Sequence, residues 1–345
     1  MQLKVNNWGS YLKTEQFNER FTVYYSNDYP SPDNFAEDVK TGLLSTPKKI
    51  QPKYFYNMEG SKLFEKICST QEYYVTRTET AILKNFADEI IQSLDGINSI
   101  CELGSVAAIK TRYLIDSFIK QKGTLQYLPI DVSNILIESS TGLLNSIPKI
   151  KINGVLSEYQ RGLDIVNALY YEPKLIIFLG SSIGNFSMPE AMDFLKDITH
   201  NMSCDDRLLI GFDKVKNIDV LYNAYNDKAR YTAQFNLNLL KRINDELGGN
   251  FDLHDFQHWA FFNELNSRIE MHLVSKSHQL IHIEDIDETI TFTKGESIHT
   301  ENSYKFTDRM IENLANYAGL DILEKWTDER KYFSLVMFKK ADIIN

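Results

Sequence analysis

Five short apolar runs, each separated from the next by a more polar stretch, constrain the fold of this chain more than any other feature. They lie between residues 95 and 215 and read "INSICELG", "TLQYLPIDVS", "IKINGVLS", "KLIIFLGSS" and "RLLIGFDKV". Continuous apolar runs of this length are typical of strands that are covered on both faces. Segments between them, such as "AAIKTRYLIDSFIKQ", have helical spacing. The pattern therefore predicts an α/β fold with a parallel, doubly wound sheet.

The pattern changes after residue 215. A helical segment, "LYNAYNDKARYTAQFNLNLLKRINDEL", precedes three segments that alternate with period two, as antiparallel strands do: "SRIEMHLVSK", "QLIHI" and "ETITFTKGESIHTENSYKF". The C-terminal segment predicts a helix followed by two strands that are joined at "TDERK". An antiparallel hairpin at this place is typical of a methyltransferase-type sheet, whereas a dinucleotide-binding dehydrogenase usually finishes otherwise.

Composition and charge exclude several kinds of partner. The net charge is −10 and the chain has no long basic run, so we expect no nucleic acid, because phosphate binding needs clustered Lys and Arg. No apolar stretch approaches the roughly 20 residues that span a bilayer, and the N-terminus lacks the apolar core of a signal peptide. We therefore expect a cytoplasmic protein without a membrane partner. The sequence does not decide the oligomeric state, and a monomer is the working expectation.

The sequence predicts no metal site. His254 and His258 would lie one turn apart if "LHDFQHW" were helical, but no third ligand accompanies them, so two surface or interdomain histidines are the better interpretation. Cys68, Cys101 and Cys204 are widely spaced and stand beside apolar residues. This arrangement predicts buried free thiols rather than disulfides.

Small, acidic or aromatic residues follow four consecutive predicted strands, where open parallel sheets bind their ligands. The residues are Gly104-Ser105, Asp131, Glu158-Tyr159, and Gly180 with Asn185. Gly104 would let the backbone approach a ligand, and Asp131 could accept both hydroxyls of a ribose. Glu158 and Tyr159 suit the edge and the face of an adenine. Each feature alone is as typical of an ordinary turn, but the four together favour a nucleoside cofactor.

Nine segments together resemble the histidine-specific S-adenosylmethionine methyltransferases, the Nα-trimethylating enzymes of ergothioneine biosynthesis. The order and spacing agree over nearly the whole chain. The segments are "PKYFYNMEGSKLFEKICSTQEYYVTRTE", "ELGS", "IKTRYLI", "YLPIDVS", "FLGSSIGNF", "AYND", "TAQFNLNLLKRIN", "SRIEMHL" and "GESIHTENSYKF". The resemblance implies a class I methyltransferase (Rossmann-like) domain of residues 75–215 and 305–345. It also implies an α+β substrate-binding domain of residues 15–74 and 216–304.

The resemblance further implies S-adenosylmethionine as the methyl donor. Its binding residues would be Gly104, Lys110, Asp131, Glu158, Tyr159 and Gly180. Family members usually have Asp-Phe where Glu158-Tyr159 stands. They also show Gly-Ser-Gly-Thr-Ser where this chain has Gly-Ser followed by Val106-Ala107-Ala108. A valine disfavours positive φ, and two hydroxyl donors are lost. We therefore expect either a weaker affinity for the donor or a rebuilt loop.

For the acceptor, the resemblance implies that Asn185 and Tyr225 hold an α-carboxylate, while Tyr56 and Tyr73 approach the amine and the imidazole. It places Glu301 and Ser303 on the imidazole and Met271 along the side-chain pocket. Tyr56, Asn185 and Tyr225 are the predicted catalytic group.

Strand alternation independently puts Glu301 and Ser303 on one face, although an exposed strand edge would show the same pattern. Likewise, Tyr56, Tyr73 and Tyr225 could be packing residues. Ser187, before Met188-Pro189-Glu190, fits the helix cap better than Asn185 does, which leaves Asn185 available for a ligand.

The working hypothesis is an N-methyltransferase that acts on the α-amine of L-histidine and adds three methyl groups. Glu301 and Ser303 favour histidine, because a pocket for Phe or Trp has no need of a buried carboxylate. Three alternatives stay open: a donor-binding protein with weak or no turnover, motivated by Val106-Ala107-Ala108; the same reaction on another amino acid or amine; and an NAD-dependent oxidoreductase. The last is disfavoured by the terminal hairpin and by the missing third glycine.

Overall fold

The structure is a computed structural model that describes residues 12–26, 33–104 and 110–342. Its strands are β1 (Leu12–Asn18), β2 (Phe21–Ser26), β3 (Lys48–Lys49), β4 (Ser99–Leu103), β5 (Leu125–Asp131), β6 (Ile150–Leu156), β7 (Lys174–Phe178), β8 (Arg207–Asp213), β9 (Phe256–Asn263), β10 (Arg268–Ser275), β11 (Gln279–Ile283), β12 (Glu288–Phe292), β13 (Ser297–Tyr304), β14 (Leu320–Thr327) and β15 (Phe333–Lys340). Its helices are α1 (Asp33–Leu44), α2 (Met58–Ser69), α3 (Tyr74–Gln92), α4 (Thr111–Lys122), α5 (Ile135–Ser146), α6 (Tyr159–Leu169), α7 (Met188–Asn201), α8 (Ile218–Tyr225), α9 (Tyr231–Leu247) and α10 (Asp308–Ala318).

The five predicted parallel strands are confirmed as the centre of a nine-stranded sheet, whose order is β1-β2-β6-β5-β4-β7-β8-β15-β14. Strand β4 pairs in parallel with both β5 and β7. Helices cover both faces: Ile100 belongs to the core beside α3 and α4, whereas Cys101 belongs to the core beside α6 and α7. Burial on both sides is the physical reason that these strands are continuous apolar runs. The strand order reverses beside β4, which places a ligand-binding crevice at its carboxyl end.

The terminal antiparallel hairpin is also confirmed. Strand β15 lies antiparallel between β8 and β14, and α10 packs near α7 on one face of the sheet. This strand order, with an antiparallel strand inserted at the C-terminal end, is the class I methyltransferase arrangement that the sequence predicted.

Strands after residue 215 form the separate hairpin β11–β12 and most of a second sheet, whose order is β3-β13-β10-β9. The short strand β3, from the N-terminal part of the chain, joins that sheet beside β13. Strand β9 departs from the helical interpretation of "LHDFQHW", so the assumed one-turn spacing of His254 and His258 is wrong. The His258 ring instead lies 2.9 Å from the Tyr225 carbonyl oxygen and 2.9 Å from the Asn236 amide nitrogen. It is a satisfied structural histidine at the junction of β9 with the helices.

The N-terminal strands differ from the predicted domain division, which placed residues 15–74 in the substrate-binding domain. Strand β2 pairs in parallel with β6 and therefore extends the large sheet. Phe21 and Val23 are buried in the core there. The pairing also covers the backbone edge that β6 would otherwise present to solvent. The remaining bounds of the two domains stay a prediction.

The three cysteines are free thiols, as predicted, but only one of them is fully buried. Cys101 lies in the core, Cys68 is half-buried, and Cys204 is exposed, which corrects the expectation of burial for that residue. Within the described residues, no helix is both long and apolar enough to cross a membrane.

Candidate active site

Gly104 and Tyr159, two of the predicted donor-binding residues, face each other across the crevice at the carboxyl end of β4. Gly104 has a φ of +80°, and a Cβ added to it would lie 2.9 Å from the Tyr159 hydroxyl. The Tyr159 ring is held by Phe178 and Phe194, with centroid distances of 5.5 and 5.9 Å. Only glycine leaves backbone accessible at such a position.

Asp131 ends the neighbouring strand β5 and lies within electrostatic reach of Tyr159. Burial, and then the charge of Asp131, raise the pKa of the Tyr159 hydroxyl. One Asp131 carboxylate oxygen accepts a hydrogen bond of 2.8 Å from the backbone N–H of Ser133. Glu158 stands just before α6 with an exposed side chain that caps no backbone group. The fold therefore brings Gly104, Asp131 and the Glu158-Tyr159 pair to one crevice.

Lys110 and Gly180 complete this side of the crevice through a residue that the sequence analysis missed. Glu79, in α3, is fully buried; it forms an ion pair with Lys110 and accepts a 2.7 Å hydrogen bond from the Gly180 N–H. Gly180 has a φ of +81°, and a Cβ there would lie 3.1 Å from the Lys110 Nζ atom. Lys110 thus has a protein carboxylate as its partner in this structure. The predicted contact of Lys110 with a donor carboxylate stays a prediction.

Glu102 is a second buried carboxylate that the sequence analysis did not select, although it stands in the quoted "ELGS". It accepts hydrogen bonds from Thr111 at 2.5 Å and from Tyr127, and burial raises its pKa to about 7. These bonds tie the end of β4 to the first turn of α4 and to β5. Val106-Ala107-Ala108, between Glu102 and α4, lies outside the described residues.

Tyr225 and Ser303 meet on the acceptor side of the crevice, together with Lys305. The Tyr225 hydroxyl donates to the Ser303 Oγ atom at 2.6 Å. The Lys305 ammonium donates to Ser303 at 2.8 Å, to Tyr225 at 3.1 Å and to Asp213 Oδ2 at 2.8 Å. Asp213, at the end of β8, is also paired with Lys216. Burial would raise the Asp213 pKa, but the two lysines outweigh it and lower that pKa.

Tyr56 and Tyr73 enclose the space in front of Tyr225. The Tyr73 and Tyr225 rings are 6.2 Å apart in an edge-to-face arrangement, and Phe64 links Tyr73 to Tyr56 at 6.1 and 5.6 Å. Burial raises the pKa of both the Tyr56 and the Tyr73 hydroxyl, so both stay protonated near neutral pH. Neither hydroxyl has a hydrogen-bond partner among the described residues, which leaves both available to a ligand.

Glu301 points into the same space from β13. It stands opposite Met271 of β10, and a bulge follows at Thr300, so that His299 pairs with His272. Glu301 and Ser303 are two residues apart in regular strand beyond the bulge and therefore lie on one face of β13. The Glu301 carboxylate has neither a hydrogen bond nor an ion pair within the described part of the chain. Burial raises its pKa to about 7, although the charge of Lys305 opposes that effect.

Asn185 ends the short 3-10 helix Ser182–Asn185, which packs against β13: a Cβ at Gly184 would lie 2.9 Å from the Tyr304 carbonyl oxygen. Its side chain forms no hydrogen bond with any described residue. Ser187 caps α7 and forms a reciprocal capping box with Glu190, as the sequence predicted. Asn185 is therefore free of the capping role and lies beside the strand that carries Glu301 and Ser303.

The two sides of the crevice meet at Tyr56. After burial, the charges that raise its pKa include Glu301 on the acceptor side and Tyr159 on the donor side. Tyr56 therefore lies within electrostatic reach of a predicted acceptor residue and of a predicted donor residue.

A cluster on the opposite face of the small sheet also offers metal-ligand atoms. Ligand atoms of Glu270, His272 and His299 lie within 4.8 Å of one another. Glu270, however, is already paired with Arg268 at 2.7 Å and accepts from Asn263 at 2.9 Å. The Arg268 charge opposes a bound cation, so we assign no metal to this cluster.

The unpaired state of Glu301 leads to a prediction about stability. With a pKa of about 7 in the fold and 4.5 as the ordinary value, ionised Glu301 destabilises the fold above pH 7. The effect vanishes below about pH 4.5, where both folded and unfolded chains are protonated. Glu301→Gln should therefore raise the free energy of unfolding by about 2–3 kcal/mol at pH 8 and by much less at pH 5. Urea unfolding at both values measures this; an equal change at the two values would contradict it.

A family model of histidine-specific, S-adenosylmethionine-dependent methyltransferases matches residues 35–340. The chain belongs to this family. Its relatives include histidine N-alpha-methyltransferases from Mycolicibacterium smegmatis and Mycobacterium tuberculosis, each 36% identical. These matches cover 89% and 88% of this chain and 97% and 94% of the relatives. An L-tryptophan methyltransferase from Psilocybe serbica is 27% identical, over 87% of this chain and 91% of the relative.

The family assignment makes the protein an S-adenosylmethionine-dependent N-methyltransferase, and the crevice fits that donor. Gly104 and Gly180 leave backbone exposed at the ends of β4 and β7, where an added Cβ would meet Tyr159 and Lys110. Asp131, at the end of β5, is the acid that suits a ribose. These residues would hold the nucleoside of the donor when it is bound.

Proposed function

We propose that the protein methylates the α-amine of L-histidine and continues to the trimethylated betaine. The observation that carries this proposal is that Glu301 and Ser303 share one face of β13 beside the tyrosines: the Glu301 charge acts on Tyr56, Tyr73 and Tyr225, and Ser303 is hydrogen-bonded to Tyr225. A carboxylate with no protein partner in a half-buried pocket is costly unless a ligand completes it. An imidazole N–H is the complementary group, since it donates one directed hydrogen bond from a small ring.

The acceptor residues have distinct roles in this proposal. The Asn185 amide donates to the α-carboxylate. The Tyr225 hydroxyl donates its proton to Ser303 in this structure. Tyr225 therefore contributes chiefly its aromatic ring, which this hydrogen bond holds in place at that end of the pocket. The unpaired hydroxyls of Tyr56 and Tyr73 approach the amine, and Met271 lines the side-chain pocket.

The amine must lose a proton before it can act as a nucleophile, because amino-acid amines are mostly protonated near neutral pH. When bound, S-adenosylmethionine supplies an electrophilic methyl group on a sulfonium. The protein must hold the amine in line with that methyl group and exclude water. The Tyr56, Tyr73 and Tyr225 rings also favour the cationic product through cation–π attraction. That attraction also holds the mono- and dimethylated ammonium intermediates in the pocket, which supports repeated methylation without release.

Another amino acid is the second candidate, because a relative in the family is named for tryptophan. Ser303 discriminates between the two possibilities. An indole also has an N–H for Glu301, but it has no bare ring nitrogen to accept from Ser303. Its larger ring must also fit between Met271 and the tyrosines. A pocket built to hydrogen-bond two ring positions rejects a ligand that offers only one.

Mass spectrometry of the reaction products tests the proposal. The purified protein is incubated with S-adenosylmethionine and each common amino acid in turn, and gains of one, two and three methyl groups are followed over time. We expect histidine to be methylated fastest and to accumulate as the trimethylated product. Preferred methylation of another amino acid would overturn the choice of substrate, and no methylation of any would leave only a donor-binding protein.

A further inference from the structure

Lys305 follows Ser303 by two residues and is a fully enclosed charge beside the acceptor pocket. Its side chain is 0% exposed. Its ammonium donates to Asp213, Ser303 and Tyr225 at 2.8, 2.8 and 3.1 Å. A lysine ammonium has three protons and no lone pair. All three protons are therefore used within the protein, so Lys305 has none to offer a substrate.

The hydroxyl protons of Tyr225 and Ser303 have different fates. The Tyr225 proton is used in the bond to Ser303 Oγ at 2.6 Å. The Ser303 oxygen accepts from both Tyr225 and Lys305, which occupies its two lone pairs. Its own proton finds no acceptor among the described residues. Ser303 therefore offers the pocket a hydrogen-bond donor and no acceptor.

Glu301 offers the opposite chemistry two residues earlier on the same strand face. Above its pKa of about 7 the Glu301 carboxylate is ionised, and an ionised carboxylate accepts hydrogen bonds and cannot donate them. The pocket thus presents one acceptor and one donor a short distance apart. A neutral imidazole presents the complementary pair, one N–H and one bare nitrogen, whereas an imidazolium has two N–H groups and a phenyl ring has none.

We propose that Lys305 is a positioning residue that makes Ser303 a donor, so that the pocket selects a neutral imidazole in one tautomer, with its N–H on Glu301 and its bare nitrogen on Ser303. This inference rests on the proposed function and specifies how that site reads the ring. Lys305 acts through Ser303 and touches no substrate atom. Without it, the Ser303 hydroxyl can turn and accept as readily as it donates, and the distinction between the two ring positions is lost.

The test compares histidine with its pyrrole analogue, whose ring has an N–H but no bare nitrogen. The wild-type protein should prefer histidine by about 100-fold in kcat/KM, because the analogue leaves the Ser303 proton unpaired. Lys305→Met and Ser303→Ala should each reduce that preference to a few-fold, and the double variant should reduce it no further, because the two residues act as one unit. Lys305→Arg, which keeps the charge and several donors, should restore part of the preference.

Lys216→Met is the matched control. Lys216 is also buried and paired with Asp213, and it contacts Tyr74 at 2.7 Å, but it reaches neither Ser303 nor Tyr225. We expect it to keep the full preference for histidine. If Lys305→Met does not fold, as judged by circular dichroism, the charge-balanced variant Asp213→Asn/Lys305→Met replaces it.

Two results would overturn the role of Lys305. One is a ring preference that survives in the Lys305 variant while turnover of both substrates falls equally. The other is a Lys216→Met variant that loses as much preference as Lys305→Met. Both differ from a failure of the proposed function itself, in which the wild-type protein would methylate neither ring compound.

Discussion

Replacing Glu301 by alanine is expected to lower kcat/KM for histidine by about 100-fold or more, while the affinity for S-adenosylhomocysteine changes by less than about 3-fold. The variant removes a charge-assisted hydrogen bond to the ring, and such bonds in water-excluded sites contribute about 1.5–3 kcal/mol or more when one partner is lost. The donor side is spared, because Gly104, Asp131 and Tyr159 stand on different strands and helices. Steady-state kinetics and calorimetry of donor binding measure the two quantities separately.

Glu270→Ala is the matched control for this prediction. Glu270 is a buried carboxylate of the same small sheet, but it faces the other side and is paired with Arg268. Its loss should cost stability and leave histidine turnover within a few-fold of wild type. Equal losses of donor affinity and of histidine turnover in Glu301→Ala would contradict the separate role of Glu301.

Replacing Gly104 by alanine is expected to raise the Kd for S-adenosylhomocysteine by roughly 10- to 100-fold. The new Cβ would lie 2.9 Å from the Tyr159 hydroxyl, in the space where we place the nucleoside. Tyr159 cannot yield easily, because Phe178 and Phe194 hold its ring. Overpacking of this kind typically costs about 1–3 kcal/mol, which corresponds to that range of affinities. Isothermal titration calorimetry provides the measurement.

Gly123→Ala separates backbone strain from occupation of the crevice. Gly123 ends α4 with a φ of +91°, and a Cβ there would meet nothing within 4 Å. Both variants carry the strain of a side chain at positive φ, about 1 kcal/mol, but only Gly104→Ala fills the proposed donor cradle. If the two variants weakened donor binding equally, strain alone would explain the effect and the cradle assignment would be wrong.

The sheet that carries the donor crevice could be predicted from the sequence because its strands are buried on both faces. Ile100 and Cys101 are adjacent in β4 and belong to cores on opposite sides, so burial leaves a continuous apolar signature. Strand β9 could not be predicted, because apolar residues stand on both of its faces and no alternation of polar and apolar residues results. Its outer residues include Trp259 and Phe261, whose rings stack at 4.4 Å. Pairing of β2 with β6 joins segments more than 120 residues apart, which no local pattern reveals.

The site residues that the sequence analysis missed are buried charges. Glu79 lies in helix α3, and the sequence of that helix does not show that Lys110 and Gly180 converge on its carboxylate. Lys305 left a usable signal, since it continues the strand face of Glu301 and Ser303 at the same two-residue spacing. The residues predicted for this face end at Ser303. A long charged side chain after a ligand-bearing strand is more often solvated than buried, and only the position of Asp213 shows otherwise.

The most direct measurement is a crystal structure of the protein with S-adenosylhomocysteine and L-histidine bound together. We predict the adenosine beside Gly104, Asp131 and Tyr159, and the imidazole between Glu301 and Ser303 at hydrogen-bonding distance, with the α-nitrogen turned towards the sulfur. Histidine bound elsewhere, or bound with its imidazole away from Glu301, would contradict the shared crevice on which the proposed function depends.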